Sequence, residues 1–175
     1  MSTHMELVLR AAAFAAEKHR NGRRKDEEAS PYINHPIQLA HILVQAGVED
    51  PVVLAAALLH DTIEDTNTTR DEIEVVFGYE IADIVGECSD DKRLSKLERK
   101  QAQIDHAGKI SYKAKLVKLA DKIANVNDLD GAPPAGWSLE RKREYFDWAR
   151  RVVDPMRGTH AGLEALFDAQ YAKRP

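Results

Sequence analysis

Residues 60–65 read His-Asp-Thr-Ile-Glu-Asp and follow Val52-Val-Leu-Ala-Ala-Ala-Leu-Leu59 without interruption. A helix that is apolar all round is a buried helix, and this one runs directly into an imidazole and three carboxylates. Unpaired charge in a buried place is costly, and a bound metal ion or a cationic partner is the common compensation. The segment therefore points to a metal-dependent hydrolytic site at the end of a core helix. An HD dipeptide alone carries no weight, because chance produces it often. The Glu64-Asp65 pair after it and the apolar run before it supply the specificity. The plain alternative is a polar helix end facing solvent, with Asp65 and Thr66 beginning a loop.

On a continuous helix the neighbours His60 and Asp61 diverge by about 100°. They share one ion only if it sits over the helix edge and other segments complete the shell. Glu64 lies four residues after His60 and Asp65 four after Asp61, so a carboxylate pair projects one turn further on. His35 stands between Asn34 and Pro36, and the proline biases it to an extended conformation at the mouth of a helix. Taken alone, it reads as a capping or surface histidine. Asp121 interrupts Leu116-Val-Lys-Leu-Ala-Asp-Lys-Ile-Ala124 at the border of an apolar stripe. It needs a partner, either Lys118, Lys122 or a metal. Two imidazoles and two carboxylates make a mixed N/O set suited to Mn²⁺, Fe²⁺, Co²⁺ or Zn²⁺. Such an ion lowers the pKa of water and polarises a phosphoryl oxygen. Glu64 or Asp65 then serves in proton transfer, worth roughly 10²–10⁴-fold in rate.

The elements that must position these groups read as helices throughout. Residues 5–20 are alanine-rich with apolar groups at helical spacing. Residues 21–35 are polar and turn-rich and read as a loop. Pro36 opens a helix that Gly47 ends, and Asp50-Pro51 starts the core helix through about residue 64. Thr69 with Glu72, and Ser95 with Glu98, have capping-box spacing. Gly78 divides a helix over 69–77 from a short one near 79–88. Further helices are expected over 112–128, from Ser138 towards Pro155, and over 157–170. No alternating strand pattern stands out, so the fold class is all-α.

The chain has 175 residues, 43% of them hydrophobic and 31% charged, with a formal net charge of −4. That length suits one domain with a substantial core. The acidic balance argues against a nucleic-acid or membrane-surface role. Basic residues nevertheless cluster, at Lys18, Arg20, Arg23, Arg24 and Lys25 and again at Lys109, Lys113, Lys115, Lys118 and Lys122. Such clusters on an acidic chain suit a small, highly anionic ligand; the bland reading is two solvated helix faces. A single cysteine, Cys88, excludes a disulfide framework and a Cys-rich zinc site. No apolar stretch approaches the roughly 20 residues that span a bilayer, and no signal-peptide pattern is present. The cytoplasm is the expected location, with no obligatory protein partner evident.

Several ordered blocks carry a family likeness. They are Arg23-Arg-Lys-Asp26, Pro31-Tyr-Ile-Asn-His-Pro36, Ala56-Ala-Leu-Leu-His-Asp-Thr-Ile-Glu-Asp65, Lys96-Leu-Glu-Arg-Lys100, Lys115-Leu-Val-Lys-Leu-Ala-Asp-Lys122 with Asn125, and Gly136-Trp-Ser138 with Glu144-Tyr-Phe146. From Ala11 to Val153 the chain resembles the HD-domain metal phosphohydrolases, and within them the small alarmone hydrolases. The resemblance implies one HD-type helical domain over residues 1–175, with a core over 5–154 and a last helix over 157–170. Its start signals correspond to roughly eight to ten helices. It implies Mn²⁺-dependent hydrolysis of the 3′-pyrophosphate of guanosine 3′,5′-bis(diphosphate), giving GDP and pyrophosphate, and no synthetase domain.

Matched position by position, the resemblance makes His35, His60, Asp61 and Asp121 the metal ligands and Glu64 and Asp65 the catalytic carboxylates. Arg24 and Lys25 pack against the base, and Lys96, Asn125, Arg141 and Tyr145 line the nucleotide pocket. Asn127 departs from the pattern, standing where many relatives carry a basic residue. Cys88-Ser89 replaces a Val-Thr before the Asp90-Asp91 pair. Two alternatives compete: a phosphatase acting on NADPH or another 2′- or 3′-phosphorylated nucleotide in the same site, and a non-catalytic alarmone sensor. The intact Glu64-Asp65 pair argues against the sensor.

Overall fold

Every residue from Val53 to Leu59 is buried, and the rest of the fold is built around that short helix. The computed structural model describes residues 3–175; Met1 and Ser2, the first two residues of the expected 1–175 domain, lie outside the described residues. Among the described residues there are ten α-helices, one 3₁₀ helix and no strand, as the sequence pattern predicts. In order they are α1 (His4–Lys18), α2 (Asn34–Gln45), α3 (Pro51–Leu59), α4 (Thr62–Asp65), α5 (Arg70–Phe77), α6 (Tyr79–Cys88), α7 (Lys96–Ala107), α8 (Tyr112–Gly131), α9 (Leu139–Val153), a 3₁₀ turn (Asp154–Met156) and α10 (Ala161–Tyr171). No helix among them is long and apolar enough to cross a membrane.

Helix α3 packs on α1, α2, α6 and α8, while α8 also carries α9 and α10 against its other sides. Because α3 has neighbours all round, it needs no polar face, which is why its sequence is uniformly apolar. The helix starts are chemical. Asp50, Thr69, Ser95, Ser111 and Ser138 each accept a backbone N–H of the following turn. Ser95 and Glu98 form the complete reciprocal box. At Thr69 only one half forms, because the Glu72 carboxylate is drawn instead to Lys18 Nζ at 2.7 Å.

Two local expectations are corrected. Helix α2 begins at Asn34, so His35 lies in its first turn and is not extended. The Pro31 and Tyr32 carbonyls accept the amides of Asn34 and His35 at 3.1 and 3.0 Å, winding the chain early. Pro36 is tolerated there because first-turn amides lack helical partners in any case.

The core helix also does not run through to residue 64. It ends at Leu59 and resumes at Thr62, leaving His60 and Asp61 in a turn, with Asp61 at φ −98° and ψ −1°. The side chains that follow close the last carbonyls of α3. Nδ1–H of His60 donates to the Ala57 carbonyl at 2.7 Å, and Thr62 Oγ1 donates to the Leu59 carbonyl at 2.7 Å. The fully buried Thr62 hydroxyl thus fixes the turn that presents His60 and Asp61. A Thr62→Val variant keeps the volume and leaves the Leu59 carbonyl without that donor, a loss of ~1–3 kcal/mol. At about 2–4 °C per kcal/mol for a chain of this size, thermal unfolding followed by circular dichroism is expected to show a drop of several degrees. An unchanged midpoint would mean the turn does not depend on that hydroxyl.

Candidate active site

The turn after α3, the first turn of α2 and the middle of α8 meet at one point. His35 Nε2 lies 3.1 Å from Asp121 Oδ1 and 3.7 Å from Asp61 Oδ2. His60 Nε2 lies 2.9 Å from Asp61 Oδ2 and 3.7 Å from Asp121 Oδ1. The ligand atoms of His35, His60 and Asp121 all fall within 4.8 Å of one another. Two donors each about 2.1 Å from a single ion are separated by roughly 3–4 Å, which is the spacing seen here.

A second observation agrees with a cation between these groups. His60 Nε2 is buried and makes no hydrogen bond, although Asp61 Oδ2 is 2.9 Å away. Its other nitrogen is committed to the Ala57 carbonyl, the arrangement that orients a ligating imidazole. His35 Nε2 is hydrogen-bonded to Asp121 Oδ1 at 3.1 Å, but the unpartnered His60 nitrogen beside them leaves the network open at the point a metal would fill. The residues present therefore fit a divalent ion held by N and O donors.

The electrostatics point the same way. Burial disfavours charge on His60, but Asp61 and Asp121 outweigh it and carry its pKa up to about 10. Burial alone would raise Asp61 and Asp121; His60 holds the first, and Lys122 the second, well below the usual carboxylate range. The two carboxylates stay ionised and draw in positive charge. Each carboxylate is held in place: Tyr32 Oη donates to Asp61 Oδ2 at 2.6 Å, Asn125 Nδ2 to Asp121 Oδ1 at 2.7 Å, and Lys122 Nζ to Asp121 Oδ2 at 3.0 Å. Of the two lysines open as partners for Asp121, Lys122 takes the role. Lys118 Nζ donates to the Cys88 carbonyl at 3.2 Å.

Two cavities meet at this cluster. The smaller, of about 340 Å³, contains His60, Asp61, Glu64, Asp90, Lys96 and Asp121 among its walls. The larger, of about 610 Å³, is walled by Trp137, Leu129 and Pro134 and includes Lys25, Asp26 and Ser30. Arg24, Lys25, His35, Asp65, Asn125 and Tyr145 border both. Of the candidate site residues named from the sequence, only Arg141 lines neither. It is exposed, and its guanidinium lies 4.2 Å from the centre of the Trp137 ring. Arg24 lies in the cavity wall but is already paired with Asp128, at 2.7 Å. Asn127 lines neither cavity.

Glu64 projects into the smaller cavity, where its Oε2 accepts the Asp90 amide at 3.2 Å. Burial, then the Asp90 and Asp61 charges, push its pKa up to about 7. The Cys88 thiol, buried nearby, is pushed up to about 12 and is unsuited to act as a nucleophile. Sequence reasoning missed Tyr32 as the anchor of Asp61. It also missed His19, a buried imidazole stacked on Tyr32 with centroids 4.7 Å apart. Burial lowers the His19 pKa against the pull of Asp61 and Asp65. No local signal marks His19, which joins the site only through tertiary packing.

The HD domain family matches residues 11–147. The chain therefore belongs to the HD-domain family of helical proteins. Within it, the chain is a relative, along almost its whole length, of the MESH1 proteins. It is 55% identical to "Guanosine-3′,5′-bis(diphosphate) 3′-pyrophosphohydrolase MESH1" of Xenopus tropicalis, over 98% of this chain and 96% of that protein. It is 52% identical to the Homo sapiens protein of the same name, over 99% and 98%. Among solved structures it matches a metazoan ortholog of SpoT, described as hydrolysing ppGpp and playing a role in starvation responses. That match has a TM-score of 0.92 and 47% identity, and covers 96% of this chain and 95% of the other.

The raised Glu64 pKa has a thermodynamic consequence. The folded chain holds the Glu64 proton more tightly than the unfolded chain, so stability is lost as pH rises from the ordinary glutamate range through about 7. In protein stripped of metal, Glu64→Gln removes this penalty. The variant is expected to unfold about 2–4 °C higher at pH 8, for a gain on the order of 1 kcal/mol. The gain should vanish below pH 4.5. An equal gain at both pH values, or none, would contradict the assignment of a raised pKa.

Proposed function

We propose that this chain hydrolyses the 3′-pyrophosphate of guanosine 3′,5′-bis(diphosphate), releasing GDP and pyrophosphate, with Mn²⁺ at the His35–His60–Asp61–Asp121 cluster. The observation that carries the reading is the position of that cluster, with Glu64 beside it, at the junction of an aromatic-walled and a basic cavity. Relatives that align along nearly the whole chain carry this activity in their names. We further propose that residues 1–175 act as one HD-type hydrolase unit on a small nucleotide in the cytoplasm. The single, buried, unpaired Cys88 is compatible with a reducing compartment.

A divalent ion held by these four residues supplies a Lewis acid for the phosphoryl oxygens and favours ionisation of water. The protein groups do the rest. Glu64, with Oε2 taken by the Asp90 amide, offers Oε1 to receive the proton of the attacking water. A pKa near 7 is matched to that task at neutral pH. The water oxygen bonds to the phosphorus attached to the ribose O3′, and the O3′–P bond breaks. Asp65, which borders both cavities, is assigned to the ribose side, where O3′ regains a proton. Lys25, Asn125 and Tyr145 sit where a nucleoside would enter the larger cavity, and Trp137 presents an indole face for its base. Lys96 supplies charge for phosphate in the smaller cavity.

Protein loaded with Mn²⁺ is expected to release pyrophosphate from the tetraphosphate. Activity should vanish with EDTA and in Asp61→Ala, and fall by roughly 10²–10⁴-fold in Glu64→Gln. An overnight assay that leaves the nucleotide intact would falsify the assignment. A kcat/KM for NADPH tenfold above that for the tetraphosphate, about 1.4 kcal/mol in transition-state binding, would transfer the site to the other substrate. Tyr32→Phe removes the hydroxyl that holds Asp61. Its Mn²⁺ affinity, measured by calorimetry, should be weaker by about 10–100-fold, and wild-type affinity would show that Tyr32 does not position the ligand.

A further inference from the structure

Helix α7 turns one face towards the smaller cavity. Lys96, Arg99, Lys100 and Gln103 follow one another at helical spacing, and all four line it. Helix α8 contributes Lys118 and Lys122, which are 7% and 3% exposed, to the same cavity. Lys122 is engaged with Asp121. Among the described residues, Lys96, Arg99, Lys100 and Lys118 form no ion pair with any carboxylate. Lys118 meets only the Cys88 carbonyl, and the Lys100 ammonium lies over the Trp148 and Tyr145 rings, 5.0 and 5.9 Å from their centroids. Arg99 Nε and Gln103 Oε1 are buried without a hydrogen-bond partner.

Cations that merely solvate a helix face would point outwards and be hydrated. Here Arg99 and Lys100 are half-buried and Lys118 is buried, with only Lys96 of the four exposed; they converge from two helices and repel one another. Burial lowers the Lys100 pKa, and Lys96 lowers it further. A chamber with several unpaired cations and an unsatisfied guanidinium nitrogen is costly unless an anion enters it. The other cavity adds apolar and aromatic walls at Leu129, Ala132, Pro134 and Trp137, beside charged residues that include Arg23 and Asp128. A nucleotide cleaved at the shared cluster would place its nucleoside on that side and compact, dense negative charge on the α7 side.

We infer that the α7–α8 chamber is a diphosphate-binding subsite in which Arg99, Lys100 and Lys118 hold a diphosphate group of the nucleotide. The identity of the nucleotide rests on the function proposed above; the affinity for a diphosphate does not. The same chemistry has two sources, the pyrophosphate being released and the 5′-diphosphate that stays with the nucleoside. In either case the reaction requires no new step. These side chains bind and orient the group, and the O3′–P bond breaks at the metal cluster as before.

The test uses inorganic pyrophosphate as the probe and the full chain in EDTA, so that no metal contributes. Calorimetry should show saturable binding that weakens with added salt. In the Arg99→Gln/Lys100→Gln variant that binding should weaken tenfold or more, with Mn²⁺ affinity and the circular dichroism spectrum unchanged. Absence of binding to the wild type, or equal binding to both proteins, overturns the subsite.

Steady-state kinetics then separate the sources. If the chamber holds the departing group, the variant raises the inhibition constant of pyrophosphate and leaves the KM of the tetraphosphate unchanged. If it holds the 5′-diphosphate, KM rises and the preference over the 5′-monophosphate analogue is lost. Either pattern supports the subsite. Protein that binds pyrophosphate through these residues and hydrolyses nothing would overturn the proposed reaction and leave the subsite standing.

Discussion

Two desolvated carboxylates, Asp61 in the turn after the apolar α3 and Asp121 in the middle of α8, constrain everything else in this molecule. Asp61 and Asp121 sit in a space where burial alone would neutralise them, and both remain anionic because imidazoles and one ammonium face them. Among the described residues, Lys122 is the one full-time cation in direct contact with the pair. The remaining balance is met by His60 when it takes a proton, or by a divalent ion in its place. Proton and metal thus compete for one electrostatic deficit, and metal occupancy is inherently linked to pH. The surrounding hydrogen bonds make the deficit durable. Tyr32, Asn125 and the Ala57 carbonyl each fix one ligand, so the donors cannot rotate away to satisfy themselves.

The same deficit divides the space around it. Glu64 and Asp90 bring acid to the smaller cavity and α7 and α8 bring cations to it, with Gln103 of α7 donating to Asp90 Oδ2 at 2.7 Å. A polyanionic substrate is therefore attracted by these cations, and an ion at the cluster would shield its phosphates from the carboxylates. The larger cavity adds apolar and aromatic area at Leu129, Pro134 and Trp137 beside its own charged residues. Together they sort a nucleotide by its two ends.

How much of this was legible in the sequence follows from the range of each interaction. Helix starts at Asp50, Thr69, Ser95 and Ser138 could be read because a cap is made within a few residues of itself. The buried character of α3 was plain from its composition. The break at His60–Asp61 was not, since it depends on His60 and Thr62 donating to carbonyls of a helix already packed on four neighbours. Asp61 and Asp121 were identifiable as polar residues bordering apolar runs, whereas His35 taken alone read as a capping or surface histidine; their meeting is a tertiary fact. Arg141 was assigned to the pocket through family likeness; in the fold the Trp137 ring, four residues earlier, takes its guanidinium instead. Arg99 and Lys100 belonged to a block carrying the family likeness but received no role of their own, because periodicity cannot say which side of α7 faces a cavity. His19 reaches the site by stacking on a residue 13 positions away, and nothing nearby in the chain announces it.

The break in the core helix also explains why a fold built so thoroughly from apolar helices ends one of them in acid. The C-terminal end of α3 carries its own partial negative charge, and Asp61 follows at once. For stability that is the wrong sign; a lysine or glycine would serve better. For cation binding it is the right sign, since the helix end adds to the carboxylates. The raised Glu64 pKa reflects the same choice, placing a third acid where burial and two like charges oppose its ionisation. A chain selected for stability alone would discard both features, so their joint presence at one turn is the physical argument that the turn is kept for chemistry.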